Sequence, residues 1–123
     1  MVQTTILDAI ADEKIKIYVV WTPVLLEDNR QAAIQAIGNV SDQRAVHFWD
    51  ADKSLGNSLG KIVTLPRERK LAWDVYFAFD PQATWGDDPP QPATWMHQLG
   101  SDERKLDGAR LRVAVEELLR GLE

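Results

Sequence analysis

The sequence predicts an α/β protein: a three-layer α/β/α sandwich around a mixed, mostly central four-stranded sheet. Residues 15–25 read Ile-Lys-Ile-Tyr-Val-Val-Trp-Thr-Pro-Val-Leu, a run that first alternates and then turns continuously apolar, as a strand covered on both faces does. Predicted helices and strands alternate along the chain, and a strand–helix–strand crossover pairs its two strands in parallel, with the helix over the sheet. Turn residues at 80–82 add an antiparallel edge.

The first half of the chain is predicted to contain two helices and two strands. A short helix over residues 6–13 precedes the central strand. A second helix runs from a cap at Asp28 to Ile37, where glycine follows and suits a left-handed end. Residues 44–49 form the second strand, because their side chains alternate between two faces.

The second half is predicted to complete the sheet and to add a covering helix. A helix capped by Asp50 or Asp52 carries Leu55, Leu59 and Ile62 on one stripe and is weakened by two glycines. Residues 71–79 are apolar on both faces, which predicts another central strand, and a turn joins them to a short edge strand over residues 83–85. Residues 94–99 form one helical turn, and a last helix begins at Ser101 and continues to the terminus.

Length and composition predict one globular domain over residues 1–123. Hydrophobic residues make up 45% of the chain and charged residues 27%, which is typical of proteins that fold. Lys and Arg total 14 against 19 Asp and Glu, a formal charge of -5. Because such a surface mostly repels a phosphate backbone, we expect no nucleic-acid partner.

Membrane insertion and thiol chemistry are both disfavoured. No apolar run reaches the roughly 18 to 20 residues of a membrane span, and the first residues lack the basic start and apolar core of a signal peptide. We therefore expect a soluble cytoplasmic protein. The alternative is an exported protein from which a signal peptide has been removed. The chain has no cysteine, which excludes disulfide exchange and thiolate nucleophiles. No cofactor is predicted.

The element order resembles that of the thioredoxin-like superfamily over nearly the whole chain. Thioredoxins carry Trp-Cys-Gly-Pro-Cys after their first central strand, and the corresponding run here is Trp21-Thr22-Pro23-Val24-Leu25, which keeps the tryptophan and lacks both sulfurs. The run also resembles the Thr-x-x-Cys of peroxiredoxins, with Leu25 in place of the reactive cysteine. The family's cis proline before the third strand has no counterpart. The resemblance implies the family's architecture without its redox chemistry.

The leading functional prediction is a redox-inactive binding or scaffold module. Ligands of α/β sheets bind beyond the carboxyl ends of parallel strands, and Trp21, Thr22 and Trp49 stand at such ends. Trp95 and His97 come from a later segment that is predicted to lie over the same end. The alternative for the tryptophans is packing in the core. The sequence does not specify whether the partner is a protein or a small molecule.

The runner-up prediction is a sulfur-free, metal-assisted enzyme. His47 and Asp50 stand three residues apart across a strand end, and His97 would complete a set of three ligands with an open position. The alternative is that Asp50 caps a helix and that each histidine satisfies local hydrogen bonds.

Overall fold

The computed structural model of the chain describes residues 1–23 and 29–122. The chain divides into two compact units, Met1–Ser54 and Leu55–Glu123. Each unit contains one two-stranded sheet. The expectation of a single domain over residues 1–123 stays a prediction.

The first unit is organised on a parallel pair of strands, β1 (Ile17–Trp21) and β2 (Ala45–Trp49). Ile17 lies opposite Ala45, and Trp21 lies opposite Trp49. A helix, α1 (Arg30–Ala36), forms the crossover between the strands, followed by a 3-10 turn at Ile37–Asn39. The parallel pairing expected from the crossover is therefore confirmed.

The start of α1 shows how a local hydrogen bond sets a helix end. The side-chain oxygen of Asn29 accepts from the backbone N–H of Ala32 at 2.8 Å, which is the geometry of an N-cap. The predicted cap, Asp28, lies outside the described residues, as does Leu25.

Arg44, just before β2, binds the N-terminal segment to the sheet. Its guanidinium donates to the carbonyl oxygens of Leu7, Ile10 and Asp12. The same group forms a two-point ion pair with Asp42, at 2.9 and 3.0 Å. The predicted helix over residues 6–13 is instead a six-residue π-helical turn, Val2–Leu7, and the carbonyls beyond it are satisfied by Arg44.

The second unit contains an antiparallel pair and one long helix. Strand β3 (Val75–Ala78) pairs with β4 (Thr94–His97), with Val75 opposite His97 and Phe77 opposite Trp95. A short helix, α2 (Ser54–Gly60), begins at the boundary of the unit, and a 3-10 turn follows at Pro66–Glu68. The last helix, α3 (Gly108–Arg120), is capped by the side chain of Asp107, which accepts from the N–H of Arg110.

The core of the second unit lies between β4 and the loops before β3. Its buried members are Leu65, Ala72, Trp95 and Leu99. Half-buried apolar side chains pack around them: Leu59, Val63, Trp73, Val75 and Phe77. Trp95 is therefore a core residue as well as a strand residue.

The predicted three-layer sandwich with a central four-stranded sheet is wrong. The described residues form two separate two-stranded sheets, one parallel and one antiparallel. A crossover from β2 to β3 would need a helix with an apolar face to cover the sheet. Helix α2 has seven residues, its fully buried positions are Gly56 and Gly60, and its Leu59 packs on the core of the second unit, so it is too short and too small on its buried side to cover such a sheet.

Three local predictions in the second unit are also wrong. The antiparallel partner of β3 is β4, in the segment predicted as a helical turn, and residues 83–85 form no strand. The last helix begins at Gly108 rather than at Ser101. The residues after Ser101 form a loop instead, in which Asp102 bonds to His97 and Arg104.

No helix within the two described ranges combines the length and the apolar character needed to cross a membrane.

Candidate functional site

Strand β4 places Trp95 and His97 on the same face of the antiparallel pair, two residues apart. Their ring centroids are 5.9 Å apart. Trp95 is 9% exposed and His97 is fully buried, at 0%. This end of β4 therefore holds a buried indole and a buried imidazole next to each other.

The hydrogen bonds of His97 define its tautomer. The backbone N–H of Leu99 donates to Nδ1 at 3.0 Å, and Nε2 lies 2.8 Å from Oδ1 of Asp102. Because a backbone N–H can only donate, Nδ1 is the acceptor, and Nε2 carries the proton and donates it to the carboxylate. Both ring nitrogens are thus occupied by neighbours in the chain.

The loop after β4 closes around His97. The backbone N–H of His97 donates to the carbonyl of Arg104 at 2.9 Å, and the N–H of Leu106 donates to the carbonyl of His97 at 2.7 Å. Lys105 forms an isolated parallel bridge with His97. A buried histidine thereby fixes a segment that the sequence predicted as helix.

Asp102 and Arg104 are held in this loop by mutual bonds. The N–H of Arg104 donates to Oδ1 of Asp102 at 2.8 Å. That bond, with a smaller contribution from the His97 ring, lowers the pKa of the Asp102 carboxyl below its usual value. The side chain of Asp102 is half exposed, so hydration also favours the charged form, and the carboxyl is ionised at neutral pH.

The guanidinium of Arg104 lies over the indole of Trp95. Its central carbon is 4.6 Å from the ring centroid, within the range of a cation–π contact. Nη1 also donates to the carbonyl oxygen of Trp95 at 3.2 Å. The cation–π contact and the hydrogen bond both attach the guanidinium to Trp95.

These side chains line a cleft in the second unit. Its volume is about 350 Å³, and its lining residues are Thr64, Trp95, Asp102, Glu103 and Arg104. Small-molecule sites typically occupy about 300–1,000 Å³, so the cleft has the size of a site for a small ligand. One aromatic residue, one hydroxyl and charges of both signs contribute to its walls.

The other predicted binding residues lie in the first unit. The indole Nε1–H of Trp21 donates to Nδ1 of His47 at 3.0 Å, and the two rings stack with centroids 6.1 Å apart. Since Nδ1 accepts, Nε2 of His47 carries the proton and donates to the carbonyl of Val40 at 2.8 Å. Thr22 and Trp49 are half-buried.

The predicted metal ligands are distributed over both units. His47 and Asp50 belong to Met1–Ser54, and His97 belongs to Leu55–Glu123. Across residues 1–23 and 29–122, no three His, Asp or Glu side chains gather in a group that could hold a metal ion. Each histidine makes a hydrogen bond within the chain at both of its ring nitrogens. The metal site stays a prediction.

Sequence reasoning missed four of the five residues that line the cleft. Asp102, Glu103 and Arg104 were interpreted as the exposed first turn of the last helix, and Thr64 was not singled out. The available signal was Asp107, three residues before Arg110, which is an equally good N-cap and leaves the preceding run to form a loop.

Comparisons of the chain with protein-family models, curated proteins and solved structures find no significant match. The thioredoxin-like resemblance therefore stays a prediction, and no activity is taken from it.

Proposed function

We propose that the chain works as a binding module, and that its ligand occupies the cleft lined by Thr64, Trp95, Asp102, Glu103 and Arg104. The observation that carries the proposal is the cation–π contact between Arg104 and Trp95 at the wall of a cleft of about 350 Å³. An arginine that already makes a hydrogen bond and a cation–π contact before a ligand arrives loses less side-chain entropy on binding than a free one, so the site is partly preorganised.

The anchoring of the loop supports this proposal. Asp102, Glu103 and Arg104 stand on a loop that is bonded to the fully buried His97 at both its side chain and its backbone. A loop that is hydrogen-bonded to a buried residue holds its side chains in one arrangement, as a specific binding site requires.

The state of the two imidazoles favours binding over catalysis. A general base needs an unprotonated nitrogen within reach of the substrate. In His47 and in His97 the unprotonated nitrogen already accepts a bond from the chain, and His97 is 0% exposed. Thiol chemistry is excluded separately, because the chain has no cysteine.

The proposal is tested by a fragment screen followed in ¹H–¹⁵N NMR spectra at neutral pH. We expect hits to shift the signals of Thr64, Arg104 and the Trp95 indole, and we expect Arg104→Gln to weaken those hits. Arg120→Gln is the matched control, because Arg120 is exposed on α3 and does not line the cleft. Hits that shift other residues, or that bind the Arg104 variant unchanged, would refute the proposal.

Zinc titration separates this function from the runner-up enzyme. We expect no saturable shift of the ring protons of His47 or His97 at micromolar zinc. Saturable shifts of both histidines, lost in His97→Ala, would support metal-assisted chemistry instead.

A further inference from the structure

The charges of the cleft come from three consecutive residues. Asp102 and Glu103 contribute carboxylates, and Arg104 contributes a guanidinium. All three residues are exposed, so water and solutes reach them. Because charges of both signs line one cleft, a ligand that carries both signs has a partner there for each of its charges.

The guanidinium has donors left for such a ligand. It carries five N–H groups. Within the described part of the chain, its side chain makes one hydrogen bond, from Nη1 to the carbonyl of Trp95. Nε and Nη2 therefore remain for an acceptor, and two parallel N–H groups bind a carboxylate with the best geometry.

The carboxylates have acceptors left in the same way. In Asp102, Oδ1 accepts hydrogen bonds from the Nε2–H of His97 and from the backbone N–H of Arg104, which leaves Oδ2 to accept from a ligand. The carboxylate of Glu103 makes no hydrogen bond or ion pair with any described residue; only its backbone carbonyl is bonded, to Arg110. These oxygens can accept from an ammonium group.

We propose that the cleft binds a free α-amino acid as a zwitterion, an inference that rests on the proposed function. The carboxylate of the ligand bonds Arg104, and its ammonium bonds Asp102 and Glu103. In an α-amino acid the carboxylate and the ammonium are attached to one carbon, so one small ligand presents both charges to the same cleft. The remaining volume beside Trp95 and Thr64 takes a small side chain.

Three probes of one shape test the two charges separately: L-leucine, 3-methylbutylamine and 4-methylpentanoate. The amine lacks only the carboxylate of leucine, and the acid lacks only its ammonium. None of the probes fluoresces, so tryptophan emission and the Trp95 indole signal both report binding. We expect leucine to bind at least about tenfold more tightly than either relative, a difference of about 1.4 kcal/mol.

Two variants assign each charge to its partner. Arg104→Gln should raise the Kd of leucine and of 4-methylpentanoate about tenfold and leave 3-methylbutylamine within about twofold, since tenfold is the loss of about 1.4 kcal/mol. Glu103→Gln should raise the Kd of leucine and of 3-methylbutylamine and leave the Kd of 4-methylpentanoate unchanged. Glu103 is preferred to Asp102 for this test, because Asp102 also holds His97 and the loop.

Matched controls are Arg120→Gln and Glu117→Gln, which remove the same charges from exposed positions on α3. Equal affinity for the three probes, or variants that each weaken the amine and the acid alike, would refute the zwitterion inference. If only uncharged or singly charged fragments bind the cleft, this inference fails and the binding function stands. If no compound shifts the cleft signals, both fail.

Discussion

Replacing Arg44 by methionine removes the donors that attach the N-terminal segment to β2. The guanidinium donates to the carbonyls of Leu7, Ile10 and Asp12 and to the carboxylate of Asp42. Its side chain is 14% exposed. Methionine keeps an apolar stem of similar length, so the change removes hydrogen bonds while leaving most of the packing.

The magnitude follows from the groups that lose their partner. Leu7 and Ile10 are buried, and each unsatisfied buried carbonyl costs about 1–3 kcal/mol. Asp12 and Asp42 are closer to water and recover part of their loss by hydration. We therefore expect the free energy of unfolding of the first unit to fall by about 3 kcal/mol.

The assay is urea unfolding followed by the indole signals of Trp21 and Trp49, which report on the first unit. Arg44→Lys should lie between the wild type and Arg44→Met, because one ammonium cannot reach all four acceptors. Arg112→Met is the control: its exposed bridge to Glu116, one helical turn away, contributes about 0.3–0.5 kcal/mol. A loss in Arg44→Met no larger than in the control would refute the reasoning.

The same variant changes the dependence of stability on pH. Arg44 lowers the pKa of Asp42 from 3.8 to about 2, chiefly through the side-chain hydrogen bond. A carboxyl whose pKa is lower in the folded state stabilises the fold above its unfolded pKa, and this stabilisation is lost as the pH falls towards the folded value. We expect wild-type stability to drop between about pH 4 and pH 2, and this drop to be smaller in Arg44→Met.

Three further predictions concern backbone geometry in the second unit and are checked by thermal unfolding. Arg67 has φ 58° and ψ 30°, a left-handed conformation that costs non-glycine residues about 1–2 kcal/mol, so Arg67→Gly should stabilise by about 0.5–1 kcal/mol. Gly60→Ala would drive its new methyl group into the Lys70 carbonyl and should cost about 2–3 kcal/mol, whereas Gly100→Ala meets open space and should change little. Asp107→Ala removes the cap of α3 and should cost about 1 kcal/mol. A tolerated Gly60→Ala would contradict the packing described for α2.

Elements with a strong local pattern were predictable from the sequence. The alternation of residues 44–49 predicted β2, which spans Ala45–Trp49, and the crossover predicted its parallel pairing with β1. Residues 71–79 are apolar on both faces and predicted a strand, which the structure has as β3 at Val75–Ala78. In each case the pattern is contained within the strand itself.

Strand β4 was not predictable, because its state depends on its partner. Thr94-Trp95-Met96-His97 is too short to show a period, and pairing with β3 supplies the hydrogen bonds that make it a strand. The prediction paired β3 with the nearest segment after the turn instead. Turn chemistry indicates where a chain reverses but does not indicate which later segment returns to pair.

The candidate cleft contains both residues that the sequence singled out and residues that it did not. Trp95 was singled out by residue type, whereas Arg104 was hidden in a run that resembles the start of a helix. Its position over the indole depends on the loop closing around His97, a contact that no spacing rule encodes.

By itself, the sequence determined the absence of thiol chemistry, the locations of three strands and the parallel sense of β1 and β2. These follow from residue chemistry and from patterns within a few neighbouring residues. Only the tertiary structure decided that the strands form two small sheets, that both histidines are occupied and that charges of both signs line one cleft. Those features depend on which groups the folded backbone brings together, and side-chain hydrogen bonds and loop contacts leave no periodicity in the chain.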